Sequence, residues 1–214
     1  WCRCIPSKDV LGGIVDVQVQ RQIEKIHDSH AMCVLAVAGG GIQAIDWLLT
    51  VPGASRTVLE VIVPYAASSL ADFVGYKPQK IVSSETARNM AYAAYKRAEC
   101  LGPRNHTLIG VGCTASLMTK IPKRGGHRCF ITTWTKHLFS TYELILVKGI
   151  RDRTGEDEVV SRLVLRSLAE TSEVYDDIPL TLTSKESLSV SSGEHVDFLK
   201  QVLHGSVNSV SIRP

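Results

Sequence analysis

The 214-residue sequence has no apolar run near the roughly 18–20 residues that cross a bilayer, and no apolar signal-peptide core near its start, so membrane insertion is not expected. It has little net charge: 24 Lys and Arg against 21 Asp and Glu leave +3, without the clustered basic excess of a general nucleic-acid binder. It has only six cysteines, at positions 2, 4, 33, 100, 113 and 129, several of them inside apolar runs such as MCVLAVA and GVGCTASL. That placement argues against a disulfide framework and for a reducing intracellular compartment, with the compartment itself left open. Cys2 and Cys4 form the only close pair and lack a second pair or a histidine set at zinc spacing, so no metal site is expected. There is no internal repeat. The chain begins at Trp1 rather than Met, as a processed product or a piece of a longer chain would.

What is present suits one large domain or one domain with an appendage: 44% of residues are hydrophobic and 21% charged. After an irregular extension over 1–16, VQVQRQIEKIHDSH places Val19, Ile23 and Ile26 on one face of an amphipathic helix over about 17–29. MCVLAVA reads as a buried strand, and GIQAIDWLLTV as a helix closed by Pro52 and Gly53. TVLEVIV is a second strand, AASSLADFVG a short helix stopped at Gly75, and SSETARNMAYAAYKRAECLG a long helix with serines at its N-cap. Strands follow at HTLIGVG, HRCFITTWT and HLFSTYELILVKGI, the last two able to pair as a hairpin. Thr154 and Asp157 suggest a capping box for a final helix running to about 172. Residues 181–192, TLTSKESLSVSS, read as a polar linker, and VDFLKQVLHG after it as one short helix. The alternation predicts an α/β protein, a three-layer α/β/α sandwich around a central mixed sheet over residues 17–175.

The glycine run of LAVAGGGIQAIDWLL is the first candidate site. Gly39, Gly41 and Ala44 satisfy the G-x-G-x-x-A dinucleotide fingerprint, in which backbone N–H groups and a helix N-terminus receive a phosphate. The acidic residue that would hold the ribose is Glu60, which sits inside its strand rather than at the end. The alternatives are a plain structural turn and the active-site loop of an enzyme.

The ordered succession of segments resembles the CinA C-terminal family, the nicotinamide-nucleotide amidases of bacterial pyridine salvage. That family carries a strand, an E-S-C-T-G-G loop, a helix, a G-S-S turn, then V-x-Y-S-N-E-x-K and a closing glycine. Here the frame runs without a gap through Gly41, Pro52-Gly53-Ala54-Ser55, Val63-Pro64-Tyr65 and Gly75. SSETARNMAYAAYKRA resembles the family's V-S-x-x-x-A-x-x-M-A helix, IGVGCTASL stands in the place of its S-G-I-A-G-P loop, and RTGEDEVVSRLVLRSL resembles its last helix. The chain is still more similar to a eukaryotic, notably plant, variant in which such a domain precedes a nucleotidylyltransferase domain.

The resemblance implies a serine acyl-transfer site, with the loop serine as nucleophile and the lysine after the tyrosine as base. On the gapless match those positions are Ala38 and Leu70, so both groups are missing. The expectation is a catalytically degenerate domain acting as a binding or assembly module, without a cofactor. Its candidate ligand residues are Gly39, Gly40, Gly41, Tyr65, Gly110, Gly112 and Thr114. The competing expectation is an active amidohydrolase with replaced groups: Cys113 as nucleophile, His127 or His106 as base, or Ser68 and Ser69 after the tyrosine. A basic loop, Lys120, Lys123, Arg124 and Arg128 with His127, is either a solvated hairpin tip or a contact for a nucleotide phosphate, RNA or an acidic protein. The resemblance further implies a dimer, and a place in a larger assembly is a third reading.

Overall fold

In a computed structural model, residues 16–121, 124–175 and 178–194 are described. Helix α1 (Val17–Asp28) opens on Asp16, whose carboxylate accepts the Gln18 N–H, and buries Val19, Ile23 and Ile26. Strand β1 (Ala31–Ala38) is buried along nearly its whole length, as its continuous apolar run requires. Helix α2 (Ile42–Thr50) follows at once, and strand β2 (Val58–Ile62) lies parallel to β1. Helices α3 (Ala67–Val74) and α4 (Ser84–Leu101) lead to β3 (Thr107–Ser116), parallel to β1 on its other side. Strands β4 (His127–Trp134) and β5 (Leu138–Leu146) add an antiparallel hairpin, and α5 (Arg153–Thr171) packs back on the sheet.

The sheet order is β2-β1-β3-β4-β5-β6, a mixed sheet as the alternation of elements predicts. Chain progress reverses direction after β2. Because parallel crossovers are right-handed, the helices before and after that reversal fall on opposite faces. The larger core accordingly lies between the sheet and α1, α2 and α5, with Leu35, Val37, Ile131 and Leu163 at its centre. The smaller lies under α3 and α4, around Val34, Ala36, Leu70 and Met90.

Two expectations are corrected. Residues 181–192 are not simply a linker: Ser187–Glu194 form β6, an antiparallel edge strand on β5 from Ile145↔Ser187 to Leu138↔Glu194. The Ser-rich composition concealed a period-2 pattern in which Leu188 packs on the core while its serine neighbours face out. The suggested capping box of α5 is also replaced. Asp152 is the N-cap, accepting the Gly155 N–H at 2.8 Å, so the helix starts at Arg153 and leaves Asp157 for a different task. The irregular extension up to residue 15, with Cys2 and Cys4, and the helix expected over VDFLKQVLHG lie outside the described residues.

Helix α5 ends with Glu173 in the left-handed region, at φ 60, while the Val174 N–H reaches back to the Ala169 carbonyl. Glycine is the residue that takes this position without a Cβ penalty. Glu173→Gly is therefore expected to raise stability by about 0.5–1 kcal/mol, read as a rise of roughly 1–4 °C in the thermal midpoint. An unchanged or lower midpoint would contradict this.

Candidate functional site

The parallel strands β1, β2 and β3 end on the same side of the sheet, where open α/β sheets place ligands. A cavity of about 230 Å³ lies there, walled by Ala38, Gly39, Pro64, Leu70, Ala115 and Leu117, with Tyr65, Ile81, Thr119 and Arg153 also lining it. Ala38 ends β1 and Leu70 lies on the buried side of α3. The two positions at which the resemblance calls for a hydroxyl and an amine thus line one cavity, and both present only carbon.

The amino terminus of α5 holds the loops around this cavity through three consecutive side-chain systems. Arg153 donates to the Met118 carbonyl and the Gly39 carbonyl, both at 3.0 Å. Glu156, almost wholly buried, accepts the Met118 N–H at 2.7 Å and bonds His127 Nδ1 at 2.6 Å. Asp157 accepts the Gly41 N–H at 2.8 Å and the Gln43 N–H at 3.2 Å. The last contact bears on the dinucleotide reading, because the N–H groups that would receive a phosphate at the start of α2 are occupied by an internal carboxylate. Glu60 is likewise engaged: Arg97 binds both its oxygens, at 2.7 and 3.2 Å, and holds its carboxyl below the usual range.

Only some of the sequence candidates come together. Gly39 sits at φ 85, and a Cβ there would lie 2.2 Å from the Ala115 carbonyl oxygen, so this turn requires glycine for backbone reasons alone. Tyr65, 74% exposed, stands at the cavity mouth. Thr114 is buried and donates to the Ile81 carbonyl at 2.8 Å, which fixes the loop that carries Ile81 into the cavity wall. Gly110 and Gly112 are not at the cavity. They face α4, where an added Cβ would meet the backbone of Ala91 at 2.1 Å and of Ala87 at 2.3 Å respectively.

Cys113 is fully buried, donates to the Gly40 carbonyl at 3.5 Å, and burial raises its pKa well above that of an ordinary thiol. A thiolate there would be desolvated and out of a substrate's reach. His127 belongs to the Glu156 pair rather than to an exposed basic cluster, and His106 lies near His30 with ring centroids 6.0 Å apart. Ser68 and Ser69 are exposed on α3. Lys120, Arg124 and Arg128 are exposed in the loop before and the strand after the turn, while Lys123 lies outside the described residues.

A larger surface depression, about 1100 Å³, lies at the other end of the sheet beside Tyr95, Lys136, Tyr142 and Glu170. Of the candidate site residues read from the sequence, only His106 reaches it. Among the described residues there is no cluster of three metal-ligating side chains, and no helix is long and apolar enough to cross a membrane.

The roles that sequence reading missed are those of Arg153, Glu156 and Asp157. They fall within five residues at the start of one helix, but their charges read equally well as a solvated helix start.

These features define a mixed-sheet α/β/α sandwich with a small cavity at the carboxyl ends of its parallel strands. No sequence-family profile and no curated protein sequence matches the chain. Solved structures do, and the fold they share with it is that of a CinA-like domain. The competence/damage-inducible protein CihA of Agrobacterium tumefaciens superposes with a TM-score of 0.56 at 17% identity, over 74% of this chain and 98% of that one. A CinA superfamily protein of Klebsiella pneumoniae gives 0.55 at 8% identity, over 73% and 97% of the two chains. A competence or damage-inducible protein of Enterobacter asburiae gives 0.53 at 14%, over 72% and 94%. At these identities the likeness is one of fold.

Proposed function

We propose that this chain is a catalytically degenerate CinA-like domain that acts as a binding or assembly module. The observation that carries the reading is that Ala38 and Leu70, at the nucleophile and base positions of the resemblance, line the same cavity and offer no titratable atom. Loss of a nucleophile removes the covalent route, and loss of its base alone costs several orders of magnitude in rate. The replacement groups give little support to an active enzyme, since Cys113 is sealed in the core and His127 is turned to Glu156. Nucleotide binding at the cavity mouth, pairing with a second copy and an RNA contact through Lys120, Arg124 and Arg128 are finer versions of the same reading.

The test is direct. Purified protein incubated with nicotinamide mononucleotide is expected to release no ammonia above the background of a heat-denatured control. Turnover abolished by Cys113→Ala would overturn the reading and establish an amidohydrolase with replaced groups.

A further inference from the structure

We propose that residues 196–204 of this chain, VDFLKQVLH, dock as an amphipathic helix on the open end of the core face of β5 and β6, in the depression beside Leu138, Tyr175 and Val190.

The surface is part of the sheet's own apolar face. Side chains alternate along β6, so Ser187, Ser189 and Ser191 point one way while Leu188 and Val190 point the other. Leu188 packs on the larger core, which fixes the side on which Val190 stands. In β5 the same alternation puts Leu138 on the side of Tyr142 and Leu144, both core residues. Yet Val190 is 54% exposed and Leu138 52%. Helix α5 ends over the neighbouring strands, where Thr171 donates to Thr133 and Glu170 accepts from Tyr142 Oη, and does not extend over these two residues. Tyr175, just past the helix, is 83% exposed and lines the same depression of about 1100 Å³. That volume is at or above the roughly 300–1,000 Å³ of sites that enclose small molecules, and an apolar sheet face is normally buried against another element.

The occupant follows from where the chain goes next. β6 ends at Glu194, whose register partner is Leu138, so the backbone leaves the sheet at the rim of the depression. The residues that follow read HVDFLKQVLHG. At about 100° per residue, Val196, Phe198, Leu199, Val202 and Leu203 fall on one side of a helix. Asp197, Lys200, Gln201 and His204 fall on the other, and Gly205 supplies a stop. A helix of this length is marginal in water by itself and draws its stability from packing its apolar stripe. The stripe and the open face are joined by a tether of one or two residues, so their association is intramolecular, at an effective concentration that an unlinked partner reaches only in the millimolar range. A second copy of the chain would have to displace a segment already held at the rim.

The experiment uses the full chain with leucine and valine methyl labels, read by nuclear Overhauser contacts and amide hydrogen exchange. The expected result is contacts from the methyls of Leu199, Val202 or Leu203 to those of Leu138 or Val190, with slowed exchange over 198–203. Val190→Asp is expected to abolish the contacts and speed that exchange about tenfold or more, whereas Ser191→Asp, on the opposite face of the same strand, leaves both unchanged. Phe198→Asp gives the same loss from the side of the segment, with the β6 amides as protected as before, which separates undocking from damage to the strand. Unprotected amides over 198–203 in an otherwise folded chain would overturn the proposal, as would equal responses to the two strand variants. Contacts that arise only between differently labelled molecules in a mixed sample would overturn it too, by making the occupant a second copy. None of these outcomes involves ammonia release or the cavity at Ala38 and Leu70, so failure here is distinct from failure of the degenerate-domain reading.

Discussion

Gly112→Ala is expected to cost about 3 kcal/mol or more, a large fraction of the roughly 5–15 kcal/mol that holds an ordinary domain folded. The alanine Cβ would lie 2.3 Å from the Ala87 carbonyl oxygen and 2.4 Å from the Ala91 amide nitrogen. These are backbone atoms of α4, so no side chain can swing aside. Relief requires moving an 18-residue helix off the strand that it covers, with Met90, Ala94 and Ala98 losing their packing together. Gly110 meets the same helix one turn later, against Ala91 and Tyr95, so the double replacement leaves no native baseline. Chemical denaturation followed by far-ultraviolet circular dichroism measures the change. A loss under about 1 kcal/mol would mean that α4 is not held against β3 at this spacing.

Glu186→Ala is the second large effect, expected to cost about 3–5 kcal/mol because it leaves Arg151 as an uncompensated, mostly buried charge. The Glu186 side chain is fully buried; Arg151 donates to both its oxygens, at 2.6 and 3.0 Å, and the Val147 and Thr183 N–H groups donate as well. This one carboxylate ties the end of β5, the segment before β6 and Arg151 into a single knot, with Arg151 also on the Thr181 carbonyl. Replacing both partners, Arg151→Met with Glu186→Leu, is expected to recover more than half of the loss, since an apolar pair of similar volume needs no compensation. The pH dependence follows from the same contacts. Burial alone would raise the pKa of Glu186, but Arg151 and the two backbone donors outweigh it and hold the group at about 2, against an ordinary 4.5. A folded pKa below the unfolded one contributes stability that is fully present above pH ~5 and is lost as pH falls toward 2. The variant is therefore expected to lose most of its disadvantage at low pH. A deficit that stays constant from pH 7 to pH 3 would assign the effect to lost packing instead.

The cavity shows how far a sequence can be read. Apolar periodicity and glycine punctuation placed β1, α2, β2, α3, α4 and the β4–β5 hairpin, because each of those signals is local. The positions of Ala38 and Leu70 were legible only as members of a resembling frame. That both line one cavity depends on α3 packing onto the face of the sheet at the end of β1. Gly110 and Gly112 looked like a second ligand loop because the same residue type serves close approach to a ligand and close approach of a helix, and only the neighbour distinguishes the two. β6 was missed because serine and threonine content suggested a linker, while a partner strand was available to satisfy its backbone.

What the sequence by itself determined is the class of fold, the order of its strands and helices as far as α5, and the want of a hydroxyl at residue 38 and an amine at residue 70. The first two are properties of composition and spacing along the chain; the third is what the family resemblance implies for those two positions. Tertiary structure alone decided what the charged residues at the start of α5 do: Arg153, Glu156 and Asp157 bind backbone groups up to 116 residues away, and Asp157 fills the helix terminus that a phosphate would need. The reason is physical. A carboxylate in a sequence is only a charge, and whether it faces water, a ligand or a buried N–H is settled by which backbone donors the fold brings within 3 Å of it.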